Sequence, residues 1–199
     1  MLASILLFPA MLAVSVAASP PRRSSACAAF FNTGVDKVAN FQLRAQYDDG
    51  SREALVLGDD GQSNSTVSIL GTAATIPVSE GTNFTMADSG IIARAVGDVT
   101  TPKYSQTVSS GGFLSFAEAP EGGSGSPAEV YCELVSTDPN GSPFEYPILA
   151  VNSDADNFYV CQSTASSQRS VVYDASEASA EGYDFSSCQR AHVAMVQDY

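Results

Sequence analysis

Apolar residues along the chain either alternate with polar ones or gather in short runs, and Gly, Pro, Asn, Asp and Ser separate them. Alternation puts successive side chains on opposite faces of an extended chain, so this pattern predicts strands. No long stretch shows the spacing that would bury one face of a helix. The run FQLRAQY at 41–47 alternates strictly and places Phe41, Leu43, Ala45 and Tyr47 on one face. DDGS at 48–51 supplies turn chemistry, and the apolar run at 54–57 is predicted to return beside the first strand. GDDG at 58–61 turns again before strands predicted at 66–70 and 75–78. Residues 84–86, Asp88-Ser89-Gly90 and 91–96 read as strand, tight turn and strand. Asp, Ser and Gly suit such a turn through local side-chain hydrogen bonds and positive φ. Further strands are predicted over 104–108, 113–116, 130–135, 148–151, 158–161, 171–173 and 192–196.

About a dozen short strands at close spacing point to an all-β domain, either a sandwich or a β-trefoil-like barrel, and not to a parallel α/β sheet. No threefold sequence repeat singles out the trefoil. AEAPEGGSGSPAE at 117–129 is expected to be a flexible surface loop within one domain, because the roughly 70 residues after it would make a small separate unit. ASEASAEG at 175–182 reads as a short helix or a second loop. The β-rich domain is expected to span 39–199, behind an N-terminal arm at 19–38.

The start of the chain bears on where the protein works. Residues 2–18 are apolar or small and uncharged, broken by Pro9, and Val16-Ala17-Ala18 offers the small residues that signal peptidase needs. Residues 1–18 are therefore expected to be a removable signal peptide, too short and interrupted for a membrane anchor. PPRRSSA at 20–26 reads as an unstructured leader whose Arg22-Arg23 pair could be cut by a dibasic processing protease. No later segment approaches the ~18 to 20 apolar residues of a membrane span, and the last residues, HVAMVQDY, carry no lipid-anchor signal. A secreted protein, extracellular or in a cell wall, is expected.

Charge and cysteines agree with export. Twenty-two acidic residues against nine Lys and Arg give a net charge of −13, which disfavours nucleic acid and anionic membranes as partners. The carboxylates instead keep an acid-tolerant extracellular protein soluble. Cys27, Cys132, Cys161 and Cys188 make an even set, so two disulfides are expected in an oxidising compartment. Three connectivities are open. The reading leans to Cys161 with Cys188, which lie near strand-like runs 27 residues apart, leaving Cys27 to tether the arm to Cys132. Asn64 and Asn83 open N-glycosylation sequons, while a third at Asn140 is followed by Pro143, which disfavours modification.

Candidate chemistry is sparse, and no cofactor or metal is expected. Asn152, Asp154 and Asp156 alternate like the opening of a calcium loop, but Asn157 stands where an EF-hand needs Gly and Ser163 where it needs Glu. A polar turn feeding a strand explains the same residues. Asp88-Ser89-Gly90 has the form of an aspartic-protease motif, yet it occurs once and Ile91 follows it. No G-x-S-x-G occurs, and His192, the sole histidine, sits in an alternating strand-like run. Zinc lacks a CxxC pair. Carboxylate pairs for glycoside hydrolysis are not measurable from sequence. Trp, the commonest platform for sugar rings, is absent, leaving eight Tyr to substitute. A non-catalytic protein is expected.

The later half carries GFLSF at 112–116, FYVC at 158–161, VVY at 171–173 and a final Cys188, with FQLRA at 41–45 before them. This order resembles fungal secreted cell-wall proteins of the PhiA type, although Gln46 to Gly50 holds no Ser-Gly-Ser-x-x-His run. The resemblance implies a β-rich, non-catalytic, wall-associated protein that is structural or a surface antigen. It brings no functional residues. The alternative is a host-interacting effector or carbohydrate-binding module, with cell-wall polysaccharide or host surface components as partners.

Overall fold

The structure is a computed structural model and describes residues 25–59, 66–94, 101–136, 144–179 and 182–197. The expected signal segment 1–18, Arg22-Arg23, Asn64 and the Asn140 sequon lie outside the described residues. A 3-10 turn at Ser25–Phe30 leads into β1 (Gly34–Val35), β2 (Val38–Tyr47), β3 (Arg52–Asp59) and β4 (Val67–Thr72). The hairpin of β5 (Asn83–Ala87) and β6 (Gly90–Arg94) follows, then β7 (Lys103–Ser105) and β8 (Ser115–Glu118). The chain continues through β9 (Tyr131–Leu134), β10 (Ile148–Val151), β11 (Phe158–Ser163), β12 (Arg169–Tyr173) and the long β13 (Tyr183–Gln197).

The sheet closes on itself. Pairing runs β2–β5–β6–β7–β8–β4–β12–β11–β13 and back to β2, a barrel of nine strands, with β3 bridging β2 and β4. Closure removes exposed backbone edges, the usual liability of an all-β chain. It is achieved by three strands that change partner along one edge. β2 pairs with β5 through Phe41 and with β3 from Leu43 onward. β4 pairs with β8 over Val67–Ile69 and with β12 at Gly71. β13 leaves β11 after Ala191 and meets β10 at Ala194. β9 and β1 extend the sheet beyond β10 as a flap.

Alternation then decides what is inside. Phe41, Leu43 and Ala45 point inward as their spacing predicts, joined by Leu55, Leu57, Leu70, Met86 and Ile91. Phe41, Phe84 and Phe116 stack in a row with ring centroids 5.9 and 6.1 Å apart. Tyr131 belongs to the same interior, and its hydroxyl is buried without a hydrogen-bond partner. Each disulfide lies in a smaller apolar cluster outside the barrel. Cys27–Cys132 packs with Ile148, Ala150 and Ala155, and Cys161–Cys188 packs with Val172, Ala175 and Tyr183. Both pairings are those favoured by the sequence.

Three expectations need correction. Residues 75–78 form no strand: they turn so that Ile76 folds back onto β4, and a Cβ on Gly71 would fall 2.9 Å from Ile76 Cδ1 and 2.7 Å from the Arg169 carbonyl. β13 begins nine residues before the predicted 192, because DFSSCQR at 184–190 has few apolar positions to betray it. The end of the leader expected to be unstructured at 20–26 is ordered, since Ser25 opens the 3-10 turn and Ala26 is buried, while Cys27 tethers the arm to Cys132. Segment 117–129 crosses β6 and β7, with the Tyr104 ring against Gly125, Pro127 against Gly90, and Ala128 N–H donating to Ser105 O at 2.8 Å.

The disulfides span 105 and 27 residues, worth about 4.7 and about 3.5 kcal/mol of unfolded-chain entropy. Cys27→Ala/Cys132→Ala is therefore expected to lose about 1 kcal/mol more stability than Cys161→Ala/Cys188→Ala in urea titrations. The reverse order would mean that packing in the two clusters, not loop closure, governs. Tyr131→Phe removes a desolvated, unpaired hydroxyl and is expected to raise the unfolding free energy by about 1 kcal/mol; a loss of that size would reveal a partner for the hydroxyl.

Candidate functional site

The change of partner along β4 leaves a seam on the barrel wall, and residues 112–114 wedge into it. Leu70 N–H donates to Leu114 O and Leu114 N–H to Val171 O, at 2.9 and 3.1 Å. Phe113 bridges to Val172 beside them. Outside this seam lies a solvent-open cleft of about 540 Å³, lined by Val67, Ile69, Phe113 and Gly182 together with Thr107, Ser109, Ser115, Ser163 and Thr164. Its walls come from β4, β8, β11 and their loops, and none of its lining residues carries an ionisable side chain. Among the described residues, the side-chain hydroxyls of Thr107, Ser109, Ser115 and Thr164 make no hydrogen bond to the protein, whereas Ser163 Oγ accepts from Ala165 N–H at 3.2 Å. Phe113 is held edge-on by Tyr183, with centroids 5.9 Å apart at 82°. Tyr183 is fixed in turn by its hydroxyl, which donates to Ser176 O at 3.2 Å.

The calcium-like stretch is a hairpin turn. Asn152 and Ser153 both have positive φ, at 50° and 66°, and Val151 and Asp154 exchange backbone hydrogen bonds of 2.8 and 2.9 Å. That geometry suits a two-residue turn, and Asn tolerates it well. The Asp154 carboxylate is occupied by Asp156 N–H at 2.8 Å, Asn157 Nδ2 at 2.6 Å and Tyr173 Oη at 3.2 Å. Partial burial opposes ionisation of Asp154, but these donors together hold its carboxyl below the ordinary range. Burial and the adjoining Asp154 charge push Tyr173 up to about 12. Among the described residues, no three acidic, His or Cys side chains converge as a metal site.

Asp88-Ser89-Gly90 is also a turn. Asp88 and Ser89 have positive φ, Ala87 pairs with Gly90, and Asp88 faces solvent. His192 lies on β13, where Nδ1 meets Ala155 O at 3.2 Å and the Phe144 ring stands 4.6 Å away. Asn83 opens β5 with its side chain exposed, while Phe84, the next residue of its sequon, is buried in the core.

The chain matches no protein-family model, no curated protein and no solved structure.

Two polar clusters escaped the sequence reading. Lys103 Nζ donates to Ser68 Oγ at 2.6 Å and to Glu80 Oε2 at 2.7 Å, and Ser68 also donates to Glu80. A Ser beside a Lys has the makings of a nucleophile and base, but Ser68 is 1 % exposed and its hydroxyl is engaged on both sides. Arg169 forks onto both Glu53 oxygens at 2.9 and 3.0 Å and reaches Tyr47 Oη at 3.2 Å. Burial, and then donation to Glu53, raise the Tyr47 phenol well above its usual range. Both clusters occupy inward-facing strand positions, with Ser68 opposite Phe116 and Glu53 opposite Ala45, and tie strands together at the margins of the barrel interior. Two smaller clefts, of about 320 and 280 Å³, hold one carboxylate each, Glu118 and Glu129.

Acid and base sides of stability are set by different groups. Glu133 is buried on β9 and its carboxyl is raised by burial, against one hydrogen bond from Gln197 Nε2 at 2.9 Å. A raised carboxyl favours the fold while protonated, so its contribution is complete below its ordinary 4.5 and is lost as pH climbs through the higher folded value. Asp154 has the opposite sign: its contribution is present above 3.8 and lost as pH falls through the lower folded value. Melting temperature measured against pH is expected to flatten above about pH 4.5 in Glu133→Gln and below about pH 4 in Asp154→Asn. Parallel profiles for both variants and the native protein would refute these assignments.

Proposed function

We propose that this chain is a secreted, non-catalytic protein of a fungus, held in or near the cell wall, where it serves as a structural component or surface antigen. The observation that carries the reading is the division of labour among its side chains. The ionisable groups described above fasten strands and turns, while the 540 Å³ cleft is lined by hydroxyls and apolar side chains alone. Acid–base or nucleophilic turnover needs a titratable group at the reacting atom, and no residue lining this cleft supplies one.

Further support comes from the compartment. Two disulfides persist where thiols are oxidised, and the apolar segment 1–18 has the composition of a cleavable signal. No helix among the described residues is long and apolar enough to cross a membrane. With a net charge of −13, retention in a wall would rest on neutral contacts and not on attraction to anionic surfaces. The resemblance to PhiA-type proteins points the same way.

A host-interacting effector or carbohydrate-binding module is the second reading, and the cleft is the observation that favours it. Fractionating culture medium, detergent-extracted walls and cell contents separates the possibilities. Recovery from walls and medium, with both disulfides formed, is the expected result. Recovery only inside cells, or with four free thiols, would sink both readings. Recovery from medium alone, with none in the wall, would favour the second.

A further inference from the structure

We infer that the cleft at the β4 seam is a binding site for a neutral, polyhydroxylated chain, a few sugar units of a cell-wall polysaccharide. The inference deepens the wall reading by naming its ligand and the residues that hold it.

The volume of about 540 Å³ falls within the range of ligand pockets, about 300–1,000 Å³. The lining selects by chemistry. Thr107, Ser109, Ser115 and Thr164 bring hydroxyls that both donate and accept, which matches a sugar hydroxyl in either orientation. Phe113 adds an apolar ring suited to the C–H face of a pyranose, and Val67 and Ile69 add apolar surface on the adjoining strand. A charged ligand would find no counter-ion among the lining residues, and an anionic one would also face the protein's net charge of −13. A lipid or apolar peptide would leave at least four hydroxyls desolvated without partners, a cost a polyol avoids.

The site is also preorganised. The Phe113 ring is braced by Tyr183, its backbone is bridged to Val172, and Leu114 is bonded on both sides into β4 and β12. Binding therefore needs little ordering of the Phe113 wall. The seam exists because β4 changes neighbours, so the site is part of the barrel's closure and not a loop accident.

The test is a titration of secreted, oxidised full chain with β-1,3-glucan oligomers and chitin oligomers. A neutral N-glycan stands for a host surface and heparin serves as an anionic control. A wall-type oligomer is expected to bind, with affinity unchanged between about 0.05 and about 0.5 M NaCl, because no ion pair is made. Phe113→Ala should weaken binding by about tenfold or more. Thr164→Trp, at an exposed position where the fold has little to lose, should abolish it by filling the cleft. Both variants are checked for native melting and both disulfides. Failure of every neutral glycan to bind, preference for heparin, or full binding by a folded Thr164→Trp protein would each overturn the inference. Binding to the N-glycan alone would keep the site but overturn its wall ligand. Wall fractionation remains a separate readout: retention in the wall without cleft binding leaves the wall reading standing, and cleft binding without retention removes it.

Discussion

Seven consecutive residue pairs, Phe41–Tyr47 against Gln197–Ala191, join β13 to β2, and the rest of the architecture depends on that seam. Without it the nine-strand ring is an open sheet with two long edges, and the inward side chains of β2 and β13 face water. With it, Phe41, Leu43 and Ala45 meet Val193 and Met195 in one apolar interior. In an up-and-down barrel every strand holds the same two neighbours throughout, and this ring does not follow that plan. The chain lets β2, β4 and β13 trade neighbours part-way along. At β2 the trade coincides with a register shift next to Asn40, whose φ of 49° marks a bulge. At β4 it opens the wall and makes the cleft.

Charge scarcity also shapes how the barrel's strands are clamped. Nine Lys and Arg serve a chain with 22 acids, and several of those described are committed to clamps. Lys103 joins β7 to β4 and to the Glu80 loop, Arg169 joins β12 to β3 and β2, and Arg52 ties β3 to Glu145. The Arg52 pair is exposed and contributes little. The Lys103 and Arg169 clusters are more sheltered and combine charge with a hydroxyl or phenol, so their geometry is better defined. Nine Lys and Arg are too few to pair with 22 acids, and exposed carboxylates such as Asp88 and Glu121 keep the surface anionic.

Strand positions were legible wherever one face is buried and the other wet. FQLRAQY shows this, and the Asp88 and Asn152 turns showed through residues that accept positive φ. The cysteine pairing was legible because its shorter span joins neighbouring strands. Residues 75–78 misled because Ile76 is apolar for a different reason: it covers Gly71 from outside the sheet. The first half of β13 was hidden because only Tyr183 and Cys188 pack on the disulfide cluster, and the residues around them, mostly Ser, Asp, Gln and Arg, are largely exposed. The cleft was illegible in principle. Its walls come from positions near 67, 113 and 163, and Ser and Thr are too common in loops to mark a site before the chain is folded.

Because β13 closes the barrel, β2 must wait for a neighbour that follows every other described strand in the chain. Until β13 is in place, the edge of β2 that it covers, Phe41–Tyr47, lacks that partner strand. Cys27 and Cys132 both precede β13 in the chain, whereas Cys161 must wait for Cys188 and thus for β13 itself. The second bridge therefore records the docking of β13 on β11, one side of the strand that closes the ring, and the redox state of that thiol pair reports it.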